Sequence, residues 1–220
     1  MLFLWLPAPL AIFTGLYLFK NVSAAFVLFY CGVCLLIPFI DLMVIQGRKP
    51  IECLRYLGFR KFRGAILISF FSGAVLCFLI YYFFVLLQER IMNLETTGEV
   101  LKTWNIDRRS ILWLVPVMVI ANSLVEEVYW RGYIFLKLRE TVSPLATIFL
   151  SSLFYASYHL LTTGALFSLN YALLCTSAVF AAGVFWAWIR YKTNSILVPL
   201  ITHFFADLGV MLVYIRYFSS

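Results

Sequence analysis

The chain has 220 residues, of which 64% are hydrophobic and only 12% are charged, and it carries a formal net charge of +7. This composition excludes a soluble domain, because a soluble fold of this length could not bury so much apolar surface, and it is typical of a membrane protein with several spans. Basic cytoplasmic loops explain the positive charge better than nucleic acid does, and the length suits one compact bundle.

Seven apolar stretches follow one another along the chain, each of about the length that crosses a bilayer as a helix. We therefore predict an all-α, polytopic transmembrane helical bundle of about seven spans, an integral multi-pass membrane protein without internal repeats. The predicted spans are residues 1–19, 23–45, 64–87, 111–138, 144–161, 166–189 and 195–218.

The connections between the spans differ in character. Segment 47–63 has six Lys and Arg residues against Glu52 alone, so we predict an amphipathic segment lying on anionic lipid, with a plain charged loop as the alternative. Segment 88–110 is polar and predicts the longest loop on the other face. Ser143 followed by Pro144 predicts a helix start, and residues 162–164 predict a short turn.

The distribution of basic residues predicts the orientation. With segment 47–63 in the cytoplasm, the turns after the fourth and sixth spans also lie there, which places eleven of the seventeen Lys and Arg residues inside. The N-terminus is then cytoplasmic and the C-terminus lies on the opposite side.

The sequence E-E-V-Y-W-R-G at 126–132 interrupts the fourth span with charges. Each charge at membrane depth costs about 2.5–3.5 kcal/mol, so the stretch predicts a functional site. Glu127 and Arg131 are spaced i, i+4 and can form a structural pair on one helix face. Glu126 points about 100° away, on the face of Asn122, and is therefore the carboxylate available for acid–base chemistry.

The only two histidines, His159 and His203, both lie in apolar spans, where an ionisable residue is by default a functional candidate. Glu126 and His159 each lie about 22–25 Å from the turn near residues 140–143, so we expect them at similar depth. His203 lies about 14 Å from its own turn, and Asp207 follows it on the same helix face.

Three motifs on three predicted spans together resemble the CPBP intramembrane protease family, which includes the type II CAAX prenyl proteases and bacteriocin-processing or self-immunity proteins. The resemblance covers residues 111–214. Tyr155 stands where phenylalanine is usual, and Asp207 stands where the prenyl proteases usually have asparagine. The motifs are Glu126-Glu127-V-Y-W-Arg131, Tyr155-A-S-Tyr158-His159 and His203-F-F-A-Asp207.

The resemblance implies an intramembrane endopeptidase. With the orientation predicted from the basic residues, we expect the cavity that holds its site to open to the cytoplasm. By this resemblance Glu126 activates water, His159 positions it, and His203 and Asp207 stabilise the oxyanion. The supporting residues are Asn122, Glu127, Arg131 and Tyr155. Residues 111–220 form the catalytic core of spans four to seven, and residues 1–110 hold the first three spans and the basic loop, within one integrated membrane domain.

Several alternatives stay open at this stage. No cofactor is expected, but a zinc ion is possible. The expected partners are a membrane-associated protein or peptide substrate and the lipid bilayer, and not nucleic acid. A transporter or proton relay, or an immunity protein without catalysis, would use similar intramembrane charges. If a metal binds, the four ligands expected are His159, His203, Asp207 and Glu126.

Overall fold

The computed structural model describes residues 5–60 and 65–219, and within these ranges the regular elements are helices. They are α1 (Pro7–Leu18), α2 (Val22–Ile45), α3 (Pro50–Leu57), α4 (Ala65–Ile91), α5 (Leu94–Thr103), α6 (Arg108–Arg139), α7 (Pro144–Leu166), α8 (Leu169–Thr193) and α9 (Leu197–Phe218).

The predicted polytopic helical bundle is confirmed. Within the described residues, α2, α4, α6, α7, α8 and α9 are each long and apolar enough to cross a membrane, and α1 is a shorter apolar helix. The protein is therefore an integral, multi-pass membrane protein. The beginning of the first predicted span, at 1–4, and part of the basic segment, at 61–64, lie outside the described residues.

Short polar side chains start several of these helices by accepting hydrogen bonds from otherwise unpaired backbone N–H groups. Asn21 accepts from the backbone N–H of Ala24 at 2.9 Å, at the start of α2. The predicted cap at Ser143 is confirmed, because its Oγ accepts from the N–H of Ala146 at 3.4 Å and Pro144 is the first residue of α7.

The turn predicted at residues 162–164 is wrong, since α7 continues to Leu166 and α8 begins at Leu169. The hydroxyl groups of Thr162 and Thr163 each donate to the carbonyl oxygen of His159 at 2.9 Å. Threonine side chains that bond back to their own helix do not need water, so these polar residues do not end the span.

The two long connections contain helices of their own. The basic segment contains the helix α3, in which apolar residues recur at helical spacing as predicted. Leu57 is buried, whereas the side chains of Ile51 and Leu54 are 54% and 45% exposed. The contact of α3 with lipid stays a prediction. Segment 88–110, predicted as a long loop, is largely helical, because α4 continues to Ile91 and α5 begins at Leu94.

The long helices pack in pairs, with α9 lying along α4 and α7 along α8. Gly209 of α9 lies close to the backbone of α4. A Cβ atom at this position would lie 2.9 Å from the carbonyl oxygen of Cys77 and 3.2 Å from Cβ of Ile80. Small residues permit such close approach between membrane helices, where packing is the main source of association.

We expect Gly209→Ala to lower the free energy of unfolding by about 1–3 kcal/mol, because the added methyl group must push α9 away from α4. Thermal unfolding in one detergent measures this effect. Gly32→Ala in α2 is the matched control, since nothing lies within 4 Å of a Cβ added there. Equal thermal midpoints for the two variants would contradict the close packing.

Candidate active site

The acidic motif lies on α6, which departs twice from regular α-helix. Pro116 lies inside the helix and cannot donate a backbone hydrogen bond, and a π-helical stretch follows it from Val117 to Asn122. A second π-helical stretch covers Glu127–Ile134 and thus begins directly after Glu126 and includes the rest of the motif. Further π-helical stretches lie in α1 and α2, at Thr14–Leu18, Val27–Leu35 and Ile40–Ile45, so this geometry alone does not mark the site. It shifts the direction of the side chains that follow.

The charged residues of the motif are fully enclosed. Glu126, Glu127 and Arg131 are 2%, 0% and 1% exposed, and His203 of α9 is 2% exposed. Fully buried aromatic rings surround them, among them Trp130 and Trp186. Bulk solvent therefore does not surround the cluster, and the charges interact more strongly than they would in bulk water.

Glu127 has two partners. Its Oε1 atom lies 3.0 Å from Nη1 of Arg131, which is the pair predicted from the i, i+4 spacing, and 2.9 Å from Nδ1 of His203. The predicted pair is present, and His203 is a second partner that the helix spacing does not reveal. This carboxylate also fixes the orientation of the imidazole ring, as an acidic partner does for many functional histidines.

Arg131 is held by aromatic rings as much as by charge. Its guanidinium carbon lies 4.1 Å above the ring of Tyr155 and 5.0 Å from the ring of Trp186. Neither Nη1 nor Nη2 has a hydrogen-bond partner among the described residues. Cation–π contacts of this kind offset part of the cost of burying a guanidinium group.

Glu126 has a hydrogen-bond partner on another helix. The hydroxyl group of Tyr158 donates to its Oε1 atom at 2.6 Å. The other oxygen, Oε2, is buried with no hydrogen-bond partner among the described residues and lies 3.7 Å from Nε2 of His203. One oxygen is therefore fixed, and the other is buried without a hydrogen bond, as Oε2 of Glu127 also is.

Sequence reasoning missed Tyr158 as a member of the site, although a signal was present. Tyr158 directly precedes His159 on the helix that returns from the turn after α6. The depth comparison that placed His159 level with Glu126 applies equally to its neighbour.

His203 lies in the cluster, although counting residues from its turn predicted a smaller depth in the membrane than that of Glu126. Its Nε2 atom faces the hydroxyl of Tyr155 at 3.4 Å and Oδ1 of Asp207 at 3.6 Å. Its ring also stacks on Trp186, with 4.5 Å between centroids. The structure thus brings Glu126 of α6 and His203 and Asp207 of α9 together.

Asp207 is the end of a chain of hydrogen bonds. Nδ2 of Asn122 donates to Oδ2 of Asp207 at 3.0 Å, and the hydroxyl of Tyr30 donates to Oδ1 of Asn122 at 2.8 Å. Asn122, predicted on the face of Glu126, therefore serves Asp207. Tyr30 comes from α2, and no feature of its apolar surroundings in the sequence marks it as part of the site.

His159 lies beside the cluster, with its ring 4.2 Å from that of Tyr158 and 4.8 Å from that of Tyr155. Its Nδ1 atom is 3.0 Å from the carbonyl oxygen of Tyr155. A carbonyl oxygen only accepts, so Nδ1 carries the proton and the unprotonated Nε2 is left to interact with water or substrate.

The four residues predicted as zinc ligands differ in which of their donor atoms are already engaged. His203 Nδ1 is engaged by Glu127, and Asp207 Oδ2 is engaged by Asn122. Nε2 of His203 lies 3.7 Å from Oε2 of Glu126 and 3.6 Å from Oδ1 of Asp207. Zinc in proteins takes three or four side-chain ligands at about 2.0–2.3 Å, and no group of three His, Cys, Asp or Glu side chains in the described ranges is arranged as such a shell.

Residues 108–209 match the family model described as type II CAAX prenyl endopeptidase Rce1-like. The matched region runs from the start of α6 to Gly209 and contains all three motifs. Comparison with curated proteins and with solved structures gives no significant match.

Proposed function

Since the chain belongs, through residues 108–209, to the CAAX protease-like family of intramembrane endopeptidases, we propose that Glu126 is the base that activates the attacking water. Both carboxylates have one buried oxygen without a hydrogen-bond partner among the described residues, and the observation that carries the proposal is that Glu127 is paired with Arg131 whereas Glu126 is not. Tyr158 holds Oε1 of Glu126 at 2.6 Å, and Oε2 has no partner among the described residues. Hydrolysis of an amide needs a positioned group that takes a proton from water.

His159 positions the water in this proposal. Its Nδ1–H donates to the backbone of Tyr155, so Nε2 accepts a hydrogen bond from a water molecule. Its ring lies against Tyr158, which in turn holds Glu126. The base and the histidine are thus linked through one tyrosine, and their relative position is fixed by packing.

His203 stabilises the oxyanion that forms when water adds to the peptide carbonyl. Glu127 accepts from Nδ1 and fixes the ring, so that a proton on Nε2 points to the side where Glu126 lies 3.7 Å away. A preorganised donor in a water-excluded site is among the largest contributions to such catalysis. After the attack, Glu126 passes its proton to the leaving nitrogen.

Asp207 compensates the charge of His203. Its Oδ1 atom lies 3.6 Å from Nε2, and Asn122 fixes its other oxygen. Arg131 and a protonated His203 then balance two of the three enclosed carboxylates. An asparagine at position 207 would instead donate a hydrogen bond, so in this chain the donor role falls to His203 and the amide of Asn122 serves the aspartate.

A protease of this family acts on a peptide or protein, and we propose a membrane-associated one, since the site is buried within apolar helices. A fluorogenic farnesylated peptide with a C-terminal CAAX sequence tests the substrate class, beside a bacteriocin leader peptide and a C-terminal sorting tail. Cleavage of at least one of them by purified protein in detergent is the expected result. Failure with all three, in protein shown to be folded, would contradict the proposal.

We expect peptide cleavage to survive exhaustive chelation, because water activation is assigned to Glu126 and the described donors do not form a zinc shell. The measurement is the initial rate before and after treatment with a chelator, together with the metal content of the purified protein. A stoichiometric metal that is lost along with the activity and restores it on return would overturn this assignment.

We also propose that the basic segment lies in the cytoplasm. Single cysteines introduced at Lys49 and Glu95, both exposed, are then expected to differ in intact cells, with only position 95 labelled by a membrane-impermeant reagent. The parent protein, with its five cysteines, gives the background. External labelling at position 49 would show that the orientation is reversed.

A further inference from the structure

A second polar site lies away from the catalytic cluster, where α3, α6 and α8 end. A pocket of about 200 Å³ opens there, and three of its lining residues are arginines. Since a water molecule takes up about 30 Å³ in the liquid, the pocket has room for an anion and several waters. Its lining consists of Arg55, Tyr56, Arg60, Leu136, Arg190 and Asn194.

Arg190 is a buried and fixed residue of this pocket. It is only 2% exposed, and its Nε–H donates to the carbonyl oxygen of Arg131 at 2.9 Å. The guanidinium group lies against Gly58, where an added Cβ would be 2.8 Å from Cζ and Nη2. Arginine has five N–H donors. The carbonyl oxygen of Arg131 uses the one on Nε, which leaves the Nη1 and Nη2 groups for a ligand.

The charges around Arg190 are unusual for a buried cation. Its charged neighbours are Arg60 and Arg139, and no carboxylate within the described ranges lies at ion-pair distance from it. Glu140, at the edge of the pocket, accepts from the hydroxyl of Tyr56 at 3.3 Å. Burial together with Glu140 raises the pKa of Tyr56 to about 12, so this hydroxyl stays a donor near neutral pH.

A buried guanidinium group without a carboxylate partner lowers the stability of the fold unless a bound anion compensates its charge. Guanidinium groups match the oxygens of phosphate with paired hydrogen bonds, more closely than they match a small halide ion. We propose that this basic pocket binds a phosphate group at the membrane surface.

The position of the pocket favours a lipid as the source of the phosphate. Leu136 is in the last turn of α6, and Arg190 and Asn194 lie at the end of α8, which places the pocket at the level where the apolar helices leave the bilayer. On α3, Ile51 and Leu54 are exposed beside it. Basic pockets between membrane helices at this level are suited to anionic head groups, and exposed aliphatic side chains are suited to their acyl chains.

The test compares three probes at constant ionic strength on purified protein in neutral detergent: dioctanoyl phosphatidic acid, dioctanoyl phosphatidylcholine and inorganic phosphate. The readout is the thermal midpoint as a function of probe concentration. We expect phosphatidic acid to raise the midpoint and phosphatidylcholine to leave it unchanged. A response to phosphatidic acid alone identifies a lipid phosphate, and an equal response to inorganic phosphate identifies a soluble phosphate compound.

Two variants separate a specific pocket from general attraction to a basic surface. The double variant Arg55→Gln/Arg60→Gln alters exposed lining residues and spares Arg190, so the fold is retained, and the apparent affinity for phosphatidic acid should fall about tenfold or more. The control, Lys192→Gln, removes an exposed charge on α8 outside the pocket and should change the affinity less than twofold. Equal losses in both, an unaffected double variant, or no response of the parent protein would overturn the proposal.

Discussion

Glu126→Gln should abolish most of the peptidase activity while leaving the protein folded. The amide oxygen of glutamine can still accept the hydrogen bond that Tyr158 donates to Oε1 of Glu126 at 2.6 Å. The substitution also removes a charge from a site that is 2% exposed, so the free energy of unfolding should hold or rise. An amide cannot take a proton from water, and the loss of a general base lowers turnover by about 10²- to 10⁴-fold.

Single-turnover cleavage measures this loss, because it separates the chemical step from product release. The matched control is Glu99→Gln on α5, an exposed glutamate that lies outside the cluster and should cleave at the parent rate. A Glu126→Gln protein that cleaves within threefold of the parent would show that another group activates the water.

The main expected effect of Glu127→Gln and of Arg131→Leu is a lower free energy of unfolding. Glu127 is 0% exposed and contacts both Arg131 and His203, so its replacement leaves a buried guanidinium group with aromatic contacts alone. Removing one partner of a buried ion pair typically costs about 3–5 kcal/mol. We expect Arg131→Leu to be the more destabilising, because it strands the Glu127 carboxylate and also removes the contacts with Tyr155 and Trp186.

Thermal midpoints in one detergent measure these effects, with Glu99→Gln again as the control. Both variants should lose activity partly through loss of folded protein. Glu127→Gln should lose more than the folded fraction accounts for, because His203 also loses the carboxylate that fixes its ring. Midpoints unchanged from the parent in both variants would contradict the structural role of the pair.

The features that follow from periodicity and helix geometry could be predicted from the sequence. The apolar runs predicted the bundle, and the spacing of Glu127 and Arg131 predicted a contact that needs only the rise and turn of a helix. The cap at Ser143 was predictable for the same reason, since it depends on neighbouring residues alone.

Contacts between different helices were harder to predict. The partner of Asn122 could not be derived, because Asp207 and Tyr30 come from α9 and α2 and meet it only through helix packing. The π-helical stretch over Glu127–Ile134 changes side-chain directions and has no sequence signal that we recognised. Residue counting placed His203 about 14 Å deep, and only the packing of α9 against α6 brings it beside Glu126.

The end of α7 shows a different limit of prediction from local composition. Residues 162–164 carry two threonines and a glycine, which in a soluble protein favour a turn. Inside an apolar helix the hydroxyls of Thr162 and Thr163 bond to the carbonyl oxygen of His159, and the helix continues to Leu166. Local composition was therefore a poor guide where the surroundings offer no water.

The single-turnover rate per folded molecule of Glu126→Gln, set beside that of Glu127→Gln in the same detergent, tests the role of Glu126 most directly. A water-activating base at position 126 predicts a stable Glu126→Gln protein whose rate is about 10²- to 10⁴-fold below the parent, and a less stable Glu127→Gln protein that keeps more of its activity per folded molecule. An unfolded Glu126→Gln protein together with a stable but inactive Glu127→Gln protein would show that the two carboxylates have the opposite roles.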